Sequence, residues 1–217
     1  MFALMASPAA ANFDPPAGCE ALVTIQQKDC TVSNHFVCEA DPEGSRRRAD
    51  FNEDGLTYAG MIDDETQWVE SFDPFSGAVD RLVEADDPAS FSDLLEEGED
   101  AFDFVTMSSY GERVRYVGSD RLLGEEVEID GVTLDRTAYE IEAFDEDGEL
   151  LWESAGEEYI HRNWRAFIAG MSTSSGGSGD PITEDSSPVE FIFPGEVGFF
   201  SSSPKYGCGA ELIRFEP

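Results

Sequence analysis

The stretch EEVEIDGVTLDR, residues 125–136, leaves the backbone few options. Asp130 and Gly131 lie between two alternating runs. They are the dipeptide that a two-residue type I′ turn demands, because both central positions take positive φ. A hairpin closed there has a fixed register. Ile129 faces Val132 and Val127 faces Leu134, all four on one face, and Glu125 falls opposite Arg136 as a charge pair.

A second hairpin follows at once in TAYEIEAFDEDGELLWES, residues 137–154. A turn over Asp145–Gly148 sets Ala143 against Leu150 and Ile141 against Trp152. Tyr139, Ile141 and Ala143 form an inward row, while Glu140 and Glu142 point outward. The apolar row uses even numbers in the first hairpin and odd numbers in the second. A β-bulge between Asp135 and Ala138 makes that change of phase, and a strand bent in this way belongs to a strongly curved sheet or barrel.

The same alternation predicts strands at Phe36–Glu39, Arg46–Phe51, Leu56–Ile62, Gln67–Phe72 and Arg113–Val117. Others are predicted at Val189–Phe193, Val197–Ser201 and Glu211–Phe215. Strands this short and this regularly spaced indicate an all-β sandwich or barrel. One helix interrupts them. Asp87 is placed to cap it, Pro88 suits its first position, and Phe91, Leu94, Leu95, Phe102 and Val105 share one stripe up to Val105. Residues 171–188, MSTSSGGSGDPITEDSSP, carry no hydrophobic period and read as a flexible Ser/Gly loop. The expected fold is mainly β: a strongly curved antiparallel sheet or open barrel with one long amphipathic helix packed on it. Residues 12–217 form a single β-rich domain.

Charge narrows the functions available. There are 47 acidic and 13 basic residues, a net charge of −34, yet 41% of residues are hydrophobic and 16 are Phe. That much apolar surface builds a core rather than a disordered acidic tail. A field of this sign repels phosphate and anionic lipid, so nucleic acid is not an expected partner. No run approaches the ~18 apolar residues of a membrane span. Residues 1–11, MFALMASPAAA, resemble the end of a secretion signal, with Ala9 and Ala11 in an A-x-A cleavage pattern. Export to the periplasm or beyond agrees with four cysteines, Cys19, Cys30, Cys38 and Cys208. None forms a C-x-x-C pair, and two histidines do not complete a zinc set. Two disulfides are expected, Cys30–Cys38 and Cys19–Cys208, the latter contributing up to ~4–5 kcal/mol in the chain-entropy account.

Motifs for chemistry are missing. No G-x-S-x-G, P-loop, G-x-G-x-x-G or H-E-x-x-H occurs, and Asp145-Glu146-Asp147-Gly148 lacks the spacing of a calcium loop. No catalytic residue, metal or cofactor is therefore assigned. In EYIHRNWRAF, residues 158–167, Ile160, Trp164, Phe167 and Ile168 share a helical stripe. Arg162 and Arg165, three apart, are within reach of a common carboxylate, and His161, Arg162 and Arg165 form a candidate anion clamp. Arg46-Arg47-Arg48 reads as a charged strand edge. Inward aromatics on a curved sheet suggest a cup for an apolar ligand, with Tyr58, Trp68, Tyr116, Tyr139 and Trp152 as candidate lining residues. The expected function is that of an exported, non-enzymatic binding or carrier protein for a hydrophobic or lipid-like small molecule. The alternative is an acidic interaction or envelope-assembly factor that docks a cationic protein and has no cavity.

Overall fold

The computed structural model describes residues 12–176 and 179–209. The N-terminal segment read as a secretion signal and the strand predicted at Glu211–Phe215 lie outside those residues. The fold is mainly β, with one antiparallel sheet of 14 strands. Strands β1 (Cys19–Gln27), β2 (Val32–Cys38), β3 (Arg46–Asn52), β4 (Gly55–Ile62), β5 (Trp68–Phe72) and β6 (Val79–Asp87) each pair with the next. A short helix, α1 (Phe91–Glu97), precedes β7 (Glu99–Ser108), β8 (Arg113–Ile129), β9 (Val132–Phe144) and β10 (Leu150–His161), which continue the meander. β11 (Ala166–Ile168) and β12 (Met171–Gly176) both pair with β10, one after the other along the same edge. β13 (Ile182–Asp185) pairs with β12, and β14 (Pro188–Ile192) returns to β1.

β13 and β14 lie at opposite ends of the strand order but are separated by only Ser186 and Ser187. The three Cα–Cα steps from Asp185 to Pro188 span at most about 11 Å, so the sheet has to curl until its two edges approach each other. No ladder joins β13 to β14, and the sheet is not closed. Hydrogen bonds from Lys28 N to Ser187 O (3.2 Å) and from Ser186 N to Gly170 O (2.9 Å) fasten the seam.

The 125–136 hairpin has the expected register, Ile129 opposite Val132 and Val127 opposite Leu134, and Arg136 pairs with Glu125. The bulge lies on the other strand: Leu123, Gly124 and Glu125 of β8 oppose the single residue Arg136. β9 alternates without interruption against β10, so its two faces enter different clusters. Val132 and Leu134 pack with Val23, Ile25, Ile168 and Phe191, while Ile141 packs with Phe102 and Phe104. In the second hairpin Ala143 faces Trp152 and Ile141 faces Ser154, a slip of two residues from the expected pairing. The loop is one residue longer than expected, so Phe144 faces Leu150, and a register shift between Leu150 and Trp152 adds the second residue.

The predicted long helix is one of seven residues. Ser90 caps it rather than Asp87, its side chain accepting from Asp93 N, and Gly98 ends it at φ 89°. Past Gly98 the pattern changes to period two, with Phe102, Phe104, Thr106 and Ser108 all buried. That alternation was available in the sequence. It was hidden because the same phenylalanines also fit a helical stripe. Phe91 and Leu94 are buried against Ile160, with Leu122 and Phe167 around them.

Three further expectations change. Residues 158–168 form the end of β10, a turn and β11 rather than a helix, and Arg165 takes φ 44° in the turn. The loop expected at 171–188 contains β12 and β13, paired with Thr173 and Thr183 hydroxyls 2.9 Å apart. A ladder on an exposed edge needs no apolar alternation, which is why its sequence carried none. Val197–Phe200 is a series of turns, with Ser201 bridging to Asn12. Both disulfides exist but with the other pairing, Cys19–Cys38 and Cys30–Cys208. Cys19 and Cys38 stand opposite each other in the β1–β2 ladder, a proximity that only the register creates. No helix among the described residues is long and apolar enough to cross a membrane.

Candidate ligand-binding cavity

Register decides which side chains share the concave face. In antiparallel strands, directly paired residues project to the same side, so one inward residue identifies its partners across the whole sheet. From His35, the row runs through Arg48, Gly60, Ser71 and Asp80 on β2 to β6. A second row joins Phe104, Tyr116, Ala143 and Trp152 on β7 to β10. A third joins Phe102, Gly118, Ile141, Ser154 and Ser174 on β7 to β10 and β12. These rows line a cavity of about 600 Å³. Volumes of this size are typical of small-molecule sites.

Tyr58, Trp68, Tyr116, Tyr139 and Trp152 all border this cavity. Tyr116 stacks on Phe104 with ring centroids 5.1 Å apart, and Trp68 meets both edge-on at 5.4 and 5.6 Å. Trp152 lies 6.0 Å from Tyr116. Offset and edge-on contacts of this kind are the favoured geometries for aromatic pairs. Trp68 is 43% exposed. A polar strip runs beside the rings, with Tyr139 Oη 2.9 Å from Ser154 Oγ, which accepts in turn from Ser174 Oγ.

Charged residues occupy the same cavity, and the sequence reading had not assigned them to it. Arg46-Arg47-Arg48 is not on a sheet edge, since β3 lies between β2 and β4. Alternation divides the run. All three border the cavity, but Arg47 is held by Asp41, with N–O distances of 2.6 and 2.9 Å, while Arg48 Nε lies 3.1 Å from Asp50. The Arg48 guanidinium also sits 4.9 Å over the Tyr58 ring. Glu158 and Asp120 line the cavity as well. Burial, reinforced by the charge of Asp120, pushes Glu158 up to about 8. Burial and Asp100 push Asp120 up to about 7. Burial, then Arg48 and Arg46, drives His35 down to about 3, so it is neutral.

The three members of the expected anion clamp point to different partners. Arg162 binds Asp135 through two hydrogen bonds of 2.7 and 2.8 Å. Arg165 bonds to Glu65, Ser92 Oγ and the carbonyl of Asp64. His161 stacks on Trp164 with centroids 3.8 Å apart, and its Nδ1 accepts from Trp164 N. The triad is therefore not assembled around a common point. Parity along β3 was the signal available for Arg46 and Arg48, because inward Tyr58 and Ile62 are their ladder partners or neighbours. No signal of that kind marked Glu158, whose strand had been read as helix.

A second depression of about 630 Å³ lies across β7, β8 and β9 beside α1, bordered by Asp93, Glu97, Glu99, Asp100 and Glu140. Asp120 and Tyr139 belong to both. Cys30, Glu53 and Cys208 lie close together, but both sulfurs are in the disulfide and offer no thiolate to a metal. The chain matches no family model, no curated protein and no solved structure.

Proposed function

We propose that this protein is an exported, non-enzymatic binding or carrier protein whose ligand is a hydrophobic or lipid-like small molecule held in the cavity. The observation that carries this reading is the convergence of Trp68, Phe104, Tyr116 and Trp152 on one wall of a 600 Å³ space. Aromatic faces left uncovered by protein gain free energy when an apolar body replaces water, at roughly 25 cal/mol per Å² of area buried. Two disulfides suit a chain that functions in an oxidising compartment.

The acidic depression beside α1 favours a second reading, docking of a cationic protein. The two readings respond differently to salt. Electrostatic docking weakens steeply as ionic strength rises, whereas apolar uptake is nearly insensitive to it. The deciding experiment is native mass spectrometry of freshly purified protein, followed by tryptophan fluorescence on adding alkyl and aryl ligands. The proposed function requires a co-purified small molecule, or saturable changes in the emission of Trp68 and Trp152. An empty chain that ignores every ligand would leave the docking reading.

A further inference from the structure

We infer that the cavity selects amphipathic anions, with an apolar or aromatic body against the ring wall and a single anionic head group at Arg46. This inference rests on the proposed ligand-binding function and specifies the class of ligand.

Arg46 is the observation that carries it. It lines the cavity and makes no hydrogen bond or ion pair among the described residues. Carboxylates outnumber cations by 47 to 13 in this chain, so an arginine left without one is unusual. A guanidinium offers five N–H donors in a planar fork suited to carboxylate, sulfonate or phosphate. Desolvation disfavours its charge, and so does the neighbouring Arg165. The attraction of a bound anion offsets both penalties.

The surroundings agree. Both histidines feel Arg46, and His35 also feels Arg48. Arg46, Arg48 and a neutral His35 line the cavity, and Arg165 and His161 interact electrostatically with Arg46. His35 and Arg48 both face the cavity. The acids that share the cavity do not supply the missing partner. Asp50 is committed to Arg48 at 3.1 Å and to Ser33 Oγ at 2.5 Å. Glu158 and Asp120 are held up at about 8 and about 7, and burial raises Asp80 as well. Near neutral pH a protonated Glu158 is a hydrogen-bond donor rather than a competing anion. Among the described cavity-lining arginines, Arg47 and Arg48 have carboxylate partners and Arg46 has none, inside a strongly negative protein. The external field slows entry of an anion, but the interior retains it.

The test compares two fluorescent probes on the full chain, anilinonaphthalene sulfonate and the neutral N-phenylnaphthylamine, which share an aromatic scaffold and differ in the sulfonate. The expected result is sulfonate binding at least about tenfold tighter, as one charge-assisted hydrogen-bonded contact implies. R46Q should remove that preference while leaving affinity for the neutral probe within about twofold, and R46K should retain part of it. Near-ultraviolet circular dichroism of each variant checks that the fold is intact. Equal binding of the two probes to the native chain, or preference for the neutral one, overturns the anion inference and leaves the cavity reading standing. Binding of neither probe overturns both. Sulfonate preference that survives in folded R46Q assigns the head group elsewhere and overturns the role given to Arg46.

Discussion

Asp130 Oδ2 accepts a hydrogen bond of 2.8 Å from the backbone N–H of Phe191. The first residue belongs to the turn between β8 and β9, and the second to β14, the edge strand beyond β1. Phe191 stands opposite Ile25 in the β1–β14 ladder, and its N–H points away from β1 toward the turn. One carboxylate therefore shapes a hairpin and caps an edge that no other strand among the described residues covers.

That double role separates two substitutions. D130N keeps a residue tolerant of the turn's φ of 49° and retains an oxygen acceptor, so it should cost less than about 1 kcal/mol. D130A loses both and should cost about 1–3 kcal/mol. Urea unfolding of the two variants measures the difference. Equal losses would mean that the bond to Phe191 contributes nothing.

Gly118 is paired with Phe102 on β7 and Ile141 on β9. A Cβ there would lie 2.6 Å from Phe102 Cζ and would also strike the carbonyl of Glu140. G118A should destabilise the protein by about 1–3 kcal/mol through overpacking. Combining it with F102L should restore part of that loss, because the ring is one of the two obstacles. A double-mutant cycle on thermal unfolding tests the coupling, and additive losses would place the strain entirely at Glu140.

The two disulfides close loops of very different length. Cys30–Cys208 spans 178 residues and Cys19–Cys38 spans 19. In the chain-entropy account the first contributes about 5 kcal/mol and the second about 3. Paired Cys→Ser variants should lose stability in that order by denaturant titration. Peptide mapping without reduction should recover Cys19 linked to Cys38, not Cys30 linked to Cys38.

Glu158 gives the fold a pH dependence of predictable sign. Its carboxyl is raised from 4.5 to about 8 by burial and by Asp120, opposed by Arg48. Tyr58, Arg46 and His35 line the same cavity. Below pH 4.5 the folded and unfolded chains both carry the proton. Between 4.5 and 8 the unfolded chain releases it and the folded chain keeps it, so stability falls as pH rises. Asp120, at about 7, adds to the same trend over a lower range. E158Q should flatten the decline between pH 5 and 8 by at least about 1–2 kcal/mol, a value reduced for water in the cavity. Denaturant midpoints of the native chain and the variant across that range provide the measurement. An unchanged slope would show that Glu158 ionises normally.

Much of the sheet was readable because strand pairing at a tight turn is a local matter. Asp130-Gly131 fixed Ile129 against Val132, and four residues of alternation around it fixed the rest of that ladder. Alternation likewise identified the inward aromatics Tyr58, Tyr116, Tyr139 and Trp152, which the cavity contains. Phe102 and Val105 misled because both periods fit a short apolar run, and Gly98 decided between them only through its left-handed conformation. The arginines at 162 and 165 were correctly expected to meet acids, but not the same one.

The sequence by itself determined the tight turn at Asp130-Gly131 and the parity of the side chains in the strands beside it, since these depend on residues within a few positions. Tertiary structure alone decided that Cys19 meets Cys38 and that β14 returns to pair with β1. It also decided that Arg46 and Arg48 share an interior with Glu158 and Asp120. Those neighbours lie many residues apart, and what brings them together is the accumulated curl of a sheet whose every strand shifts the next.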